Sequence, residues 1–113
     1  MKMLLVAATD KEIMPCITTY HLANQFQGGI AHTRIGSHQV SILITGVGLP
    51  ATAFALGAHL ARHRYDLLIQ AGIAGAIDPQ LHVGDVVEVV SDCFADLGVE
   101  EADGVLPPPL RWG

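Results

Sequence analysis

Three short apolar segments, each followed at once by an acidic or glycine-rich turn, constrain the fold of this chain more than any other feature. They cover residues 3–8, 39–45 and 66–70. Apolar runs this short, bounded by turn residues, are typical of strands buried on both faces of a sheet. Residues 51–63, between the second and third of these segments, are rich in Ala and Leu and favour helix. The alternation predicts an α/β fold.

The remaining elements complete this prediction. A possible N-cap at Thr9 and Asp10 precedes a helix that must tolerate Pro15 near its start. This helix is predicted at residues 10–21. It is followed by a hairpin of strands at 30–35 and 39–45, a helix at 51–63, and, after the third apolar segment, a strand at 85–91. Together they predict a three-layer α/β/α architecture with a mixed, largely parallel central sheet.

The ends of the three apolar strands carry the candidate site. In open α/β sheets, ligands bind beyond the carboxyl ends of the strands. The first strand leads to Glu12, the second to Gly46 and Gly48, and the third to the glycine-rich residues 71–75. If these strands are neighbours, one carboxylate and two turns open to close backbone approach face a single cleft. A carboxylate there is a candidate general base.

Each of these signals also has a structural interpretation. Glu12 taken alone is more often a helix-capping charge, and residues 71–75 taken alone are more often a tight turn. Residues 46–51 fit a loose G-x-G-x-x-A pattern, which is typical of dinucleotide binding. That pattern also requires an acidic residue after the next strand, where Gln70 stands instead. The sequence therefore disfavours a dinucleotide site.

The charge pattern excludes several function classes. The net charge is −5, and the six Lys and Arg residues are scattered, so neither nucleic-acid binding nor a basic membrane helix is predicted. His59 and His63 lie one helical turn apart but lack further zinc ligands, and we expect solvated surface histidines. Cys16 and Cys93 are predicted to be free thiols in a reducing compartment. We expect no metal and no cofactor.

The apolar content is high for so short a chain. Half of the 113 residues are apolar and 15% are charged, whereas about a quarter of residues are usually charged. A small domain has little interior in which to bury such an excess, so we expect either a second half of the domain or a partner chain to cover it. The expected partner is another copy of this chain, in a homo-oligomer. The apolar start is too short for a signal peptide, and the expected location is the cytoplasm.

The order of these segments resembles the purine nucleoside phosphorylase and nucleosidase superfamily. Its members begin with a strand and an acidic segment, here residues 6–12, and continue with a T/S-G-x-G turn, here residues 45–48. A G-x-A-G turn and a Val-Gly-Asp-Val-Val segment follow, here residues 72–75 and 83–87. The resemblance implies a phosphorylase-like α/β fold and cleavage of the N-glycosidic bond of a purine nucleoside.

Two departures from the superfamily pattern refine this expectation. Phosphorylases of the superfamily hold phosphate with an Arg where Gln70 stands here, so the resemblance implies water as the nucleophile. Methylthioadenosine and adenosylhomocysteine nucleosidases usually have Ser at the position of Ile73. Residues 72–75 and 96–98 are instead similar to the futalosine hydrolases, which release hypoxanthine from futalosine in a route to menaquinone. A methylthioadenosine or adenosylhomocysteine nucleosidase, and a non-catalytic nucleoside-binding module, remain alternatives.

The resemblance also implies roles for individual residues. Glu12 would activate the attacking water and stabilise oxocarbenium-like charge on the sugar. The residues expected to contact the substrate are Thr9, Gly46, Val47, Gly48, Ile73 and Phe94. The superfamily is about twice this length, and its second half supplies the acid that protonates the leaving base. Residues 1–113 are therefore expected to be the N-terminal half of one nucleosidase domain, with negligible activity alone.

Overall fold

A computed structural model describes residues 1–94 and 110–112. The chain forms two compact units, Met1–Gly75 and Ala76–Gly113. The first unit contains four strands, a short 3-10 turn and two helices, and it holds most of the candidate site.

The first unit is built around a four-stranded mixed sheet. Its strands are β1 (Lys2–Ala7), β2 (Ile30–Ile35), β3 (His38–Ile44) and β4 (Leu67–Gln70), and its helices are α1 (Met14–Thr19) and α2 (Leu49–Leu60). The strand order is β2-β3-β1-β4, in which β1 runs parallel to both β3 and β4 and β2 is antiparallel to β3. The predicted hairpin and the largely parallel sheet are thereby confirmed.

The strand register aligns the carboxyl ends of the three parallel strands. At the end of β1, Ala7 pairs with Ile44 of β3, and the preceding Val6 pairs with Gln70 of β4. The central position of β1 follows from its composition, because apolar residues on both of its faces are best buried between two neighbours. The three predicted turns consequently leave the sheet at the same end, where the three parallel strands finish.

The two helices cover opposite faces of the sheet. Side chains alternate along a strand, so Leu4 and Val6 of β1 pack on one face, against Leu56 of α2. Ala7 lies on the other face, in a cluster with Ile17 of α1. These clusters confirm the predicted three layers. No helix in residues 1–94 is long and apolar enough to span a membrane.

The first predicted helix is shorter than the sequence pattern indicated. Instead of one helix over residues 10–21, a 3-10 turn at Lys11–Ile13 leads into α1. Pro15 lies in the first turn of α1, where its missing N–H costs no internal hydrogen bond. The proline therefore sets where the regular helix begins and leaves residues 10–13 as a tight connection after β1.

The strand predicted at residues 85–91 is wrong. The second unit contains a two-stranded antiparallel sheet of β5 (Asp92–Phe94) and β6 (Leu110–Trp112), and residues 85–91 form no strand. A strand requires a hydrogen-bonding neighbour, and within the described residues none pairs with this segment. Its valines are exposed, Val86 at 96% and Val90 at 83%. The apolar side chains of this segment are thus largely exposed.

Two glycines in the first unit should respond to alanine in opposite directions. Gly29 has a φ of +81°, and a Cβ there would lie 3.1 Å from the carbonyl oxygen of Ile44. We expect Gly29→Ala to lower the free energy of unfolding by about 1–2 kcal/mol, because left-handed backbone penalises a Cβ. Gly57 lies inside α2 with open space around it. There, Gly57→Ala should raise stability by about 0.5–1 kcal/mol.

Urea denaturation of both variants beside the parent chain measures this contrast. A Gly29→Ala chain as stable as the parent would show that the backbone at this turn is not left-handed in solution.

Candidate active site

The connection after β1 places Glu12 at the edge of the sheet. Ile13, at the end of the 3-10 turn, is 6% exposed and packs in the core beneath α1. The turn is closed by a hydrogen bond of 3.2 Å from Ile13 N to Asp10 O. Because the apolar neighbour is fixed in the core, the preceding carboxylate of Glu12 is left half-buried at the sheet edge.

The Glu12 carboxylate joins two segments that are 61 residues apart in sequence. Its Oε2 accepts hydrogen bonds from the backbone N–H and the hydroxyl of Thr9, both at 3.0 Å. Its Oε1 accepts one from the backbone N–H of Ile73, at 3.3 Å. A helix-capping charge explains the Thr9 contacts but not the Ile73 contact. Glu12 therefore connects the end of β1 to the turn after β4.

The glycine-rich turn after β4 approaches this carboxylate closely. Ala71 N donates to Val6 O at 2.9 Å, which continues the β4–β1 pairing past the end of the strand. A Cβ on Gly72 would lie 3.4 Å from Glu12 Oε1. Glycine at this position leaves the space beside Oε1 free of a side chain.

The glycine-rich turn after β3 flanks β1 on its other side. Thr45 N and Gly46 N donate to Ala7 O and Ala8 O, each at 3.0 Å. Gly46 and Gly48 have φ values of +87° and +101°, a backbone region that glycine adopts without strain. Gly48 is the N-cap residue of α2. The turn therefore runs along the carboxyl end of β1 before the chain enters the helix.

The structure brings most of the predicted site residues to one edge of the first unit. Thr9 and Ile73 both hydrogen-bond Glu12, and Gly46 N donates to the carbonyl oxygen of the residue before Thr9. Val47 and Ile73 are 77% and 82% exposed, so both side chains are open to a ligand. The catalytic and substrate-binding roles of these residues stay predictions.

Phe94, the remaining predicted site residue, belongs to the second unit. It ends β5 and is half-buried in the second unit, and its predicted contact with the 5′ substituent is untested. The segment at residues 96–98, which carried part of the resemblance, lies outside the described residues.

Hydrogen bonding lowers the pKa of Glu12 below its ordinary value of 4.5. The Ile73 backbone contributes most, followed by the Thr9 hydroxyl, while partial burial opposes the shift and the Thr9 backbone adds to it. Donors favour the charged form of a carboxylate. Glu12 is consequently an ionised group at neutral pH, able to orient a water molecule and to stabilise positive charge.

This lowered pKa predicts an acid-sensitive contribution to stability. Because the folded-state pKa lies below the unfolded-state value, ionised Glu12 stabilises the fold above about pH 4.5, and this stabilisation is lost as the pH falls through the folded-state pKa. We expect the stability difference between the parent chain and Glu12→Gln to be constant between about pH 6 and 8 and to shift against the parent towards about pH 3. Denaturation of both proteins across this range measures it; a difference independent of pH would contradict it.

The hydroxyl contact of Thr9 was missed by the sequence interpretation, which placed Thr9 against the sugar. The sequence does carry a signal for a contact between the Thr9 backbone and Glu12, because Thr9-x-x-Glu12 matches the capping-box pattern, in which the glutamate returns to the backbone N–H of the first residue. The observed hydrogen bond from Thr9 N to Glu12 Oε2 is that contact. Here the Thr9 hydroxyl binds the same carboxylate instead of the helix backbone.

The histidine prediction is partly wrong. His63 is exposed, but His59 is half-buried, stacks on His63 with ring centroids 4.3 Å apart, and hydrogen-bonds the Tyr65 hydroxyl at 2.6 Å. Burial, with the charges of His63, His32 and Lys2, lowers the pKa of His59. Within residues 1–94 no cluster of three His, Cys, Asp or Glu side chains is arranged for a metal.

Comparisons with known proteins point to one family. The sequence model of a family described as the phosphorylase superfamily matches residues 2–109. The chain is 44% identical to a futalosine hydrolase of Streptomyces coelicolor over 72 residues, which cover 58% of this chain and 30% of that protein. No solved structure gives a significant match.

Two further relatives carry different activities in their names. A DeoD-type purine nucleoside phosphorylase of Streptococcus pyogenes is 38% identical over 50 residues, covering 44% of this chain and 21% of that protein. A 5'-methylthioadenosine/S-adenosylhomocysteine nucleosidase of Tolumonas auensis is 40% identical over 53 residues, covering 47% and 23%. The matched segments thus span less than a third of each of these three relatives.

Proposed function

Since the chain belongs to the phosphorylase superfamily, we propose that it carries the part of a nucleosidase active site that contains the catalytic carboxylate. At this site water cleaves the N-glycosidic bond of a purine nucleoside. The observation that supports this most is the contact of Glu12 with the backbone of Ile73. It brings the acidic segment after β1 and the glycine-rich turn after β4 together beyond the carboxyl ends of parallel strands, where α/β sheets bind ligands.

The chemistry follows from an ionised carboxylate beside a ribose. As the bond from C1′ to the base nitrogen lengthens, the sugar acquires oxocarbenium-like charge, which the negative Glu12 stabilises. A water molecule held by the carboxylate forms the new bond to C1′. Its proton passes to Glu12, and the bonding electron pair leaves with the base, which takes a proton from an acid supplied by the second half of the domain.

Two features support hydrolysis over phosphorolysis. Gln70, at the end of β4, stands where the resemblance places the phosphate-binding Arg of phosphorylases. Hydrogen bonds rather than a neighbouring cation hold Glu12 in its ionised form. A phosphate ion beside an ionised carboxylate would need a cationic partner. The similarity to a purine nucleoside phosphorylase makes phosphorolysis the competing outcome of a base-release assay.

Futalosine is the proposed substrate, and hypoxanthine the released base, as in the route to menaquinone. The support is the 44% identity to a futalosine hydrolase together with Ile73, whose exposed side chain lies next to the backbone group that binds Glu12. A methylthioadenosine or adenosylhomocysteine nucleosidase is the second candidate, favoured by the Tolumonas auensis relative.

We further propose that these residues are the N-terminal half of the nucleosidase domain. β4 pairs only with β1 among the described strands, and its Leu67, Leu68 and Ile69 are 42%, 40% and 42% exposed. An apolar edge strand of this kind is usually paired or covered. Further polypeptide there would supply the acid that protonates the base.

The composition also supports two further proposals about the whole protein. The apolar excess fits a homo-oligomer, and the free Cys16 and Cys93 fit a reducing cytoplasm.

A base-release assay tests this proposal. The chain is fused to the C-terminal half of the Streptomyces coelicolor futalosine hydrolase and incubated with futalosine, methylthioadenosine or adenosylhomocysteine, with and without phosphate. We expect hypoxanthine release from futalosine that is independent of phosphate, and negligible release by the 113-residue chain alone. Phosphate-dependent release would replace hydrolysis by phosphorolysis, and preference for methylthioadenosine or adenosylhomocysteine would reassign the substrate. Nucleoside binding by a folded fusion without turnover would favour a non-catalytic module.

A further inference from the structure

The two oxygens of the Glu12 carboxylate are not equally available to a ligand. Each oxygen of an ionised carboxylate offers about two lone-pair sites. Oε2 already accepts two hydrogen bonds, from the backbone N–H and the hydroxyl of Thr9. Oε1 accepts one, from Ile73 N, and that contact is longer, at 3.3 Å. One acceptor site on Oε1 therefore remains, while those on Oε2 are occupied.

The free acceptor site also has space beside it. Gly72 lies beside Oε1, and a Cβ on it would stand 3.4 Å from that oxygen. Without a side chain, Gly72 leaves a path by which water or a sugar hydroxyl can reach Oε1. Oε2 is different, because the two donors of Thr9 already occupy its acceptor sites.

We infer that Thr9 is a positioning residue, whose hydroxyl occupies Oε2 and thereby presents Oε1 to the attacking water. This inference rests on the proposed function and changes the role that the resemblance gave to Thr9, from contacting the sugar to holding the carboxylate that acts on it. The geometry requires the Thr9 hydroxyl to be the donor, because an ionised carboxylate can only accept.

The side chain of Thr9 can be changed without touching its backbone contact. Thr9→Val keeps the branched shape and the backbone N–H but removes the hydroxyl donor, which leaves one acceptor site of Oε2 empty. Each carboxylate oxygen then has an open acceptor site for water, and only the backbone N–H groups of residues 9 and 73 still hold the carboxylate. Thr9→Ser keeps the donor and is the matched control. Thr9→Ala is a second variant without the hydroxyl, should valine disturb the fold.

The first experiment measures the contact itself in the 113-residue chain. The side-chain carboxyl ¹³C signal of Glu12, assigned by its loss in Glu12→Gln, is followed through a pH titration. Loss of a donor to the charged form should raise the pKa of Glu12 in Thr9→Val and Thr9→Ala, while Thr9→Ser should titrate like the parent. An unchanged pKa in the variants without the hydroxyl would overturn the inference, and so would a serine variant that titrates like valine.

The second experiment separates positioning from substrate contact. In the fusion described above, Thr9→Val should lower kcat about 10- to 100-fold, the effect typical of a hydrogen bond to a charged group, with little change in KM and with recovery in Thr9→Ser. A raised KM at unchanged kcat would overturn the inference and make Thr9 a substrate contact. If Glu12→Gln leaves turnover intact while the titration behaves as expected, the proposed function fails and the Thr9 contact stands.

Discussion

Glu12→Gln is expected to lower kcat for base release about 10²- to 10⁴-fold, the usual contribution of a positioned acid–base group. The substitution keeps the size of the side chain, and its amide oxygen can still accept from Thr9 or Ile73. It removes the negative charge that stabilises the sugar cation and the site that takes the proton from water. The measurement is phosphate-free hypoxanthine release by the fused protein carrying the variant.

Asp10→Asn provides the matched control for this prediction. Asp10 is an exposed carboxylate two residues from Glu12, and its side chain caps no backbone group of the following turn. Removing the charge of Asp10 should change turnover little, because no hydrogen bond to the following turn fixes its carboxylate beside Glu12. If both variants lost activity equally, general electrostatics of the segment would explain the effect, and the specific role of Glu12 would be lost.

Leu4→Ala is expected to lower the free energy of unfolding of the 113-residue chain by about 2–5 kcal/mol. Leu4 is 0% exposed in β1, the strand that pairs on both sides, and it packs with Val6 and Leu43 between the sheet and α2. A cavity there loses both the transfer free energy of the leucine and its contacts. Stabilities of small domains are only about 5–15 kcal/mol, so partial unfolding at ordinary temperatures is expected.

The same substitution at an exposed position tests the burial argument. Leu49, at the start of α2, is 65% exposed, and Leu49→Ala should change stability by less than about 0.5 kcal/mol. Urea denaturation of the two variants beside the parent measures the contrast. Equal losses at both positions would mean that the core between β1 and α2 is not packed as described.

The sequence predicted the sheet of the first unit well because its signals are local. Apolar runs such as the one in β1, each closed by a turn, define buried parallel strands without knowledge of their neighbours. The positions of Glu12, Gly46 and Gly72 then follow from one assumption, that the three strands are adjacent, which the order β3-β1-β4 satisfies.

Other features depend on contacts that a local pattern does not contain. The strand expected at residues 85–91 has an apolar pattern but no pairing neighbour among the described residues. The half-buried state of His59 depends on Tyr65, which follows α2 and returns to hydrogen-bond it. The bond from Ile73 to Glu12 spans 61 residues, so only the folded sheet creates it.

The central claim is that Glu12 and the two glycine-rich turns surround one ribose, and an amide chemical-shift map measures this most directly. The ¹⁵N-labelled 113-residue chain is titrated with inosine, a purine ribonucleoside. The account predicts that the largest shifts fall on Thr9, Gly46, Gly72 and Ile73, and that they shrink in Glu12→Gln. Shifts concentrated elsewhere, or absent from these four amides, would contradict it.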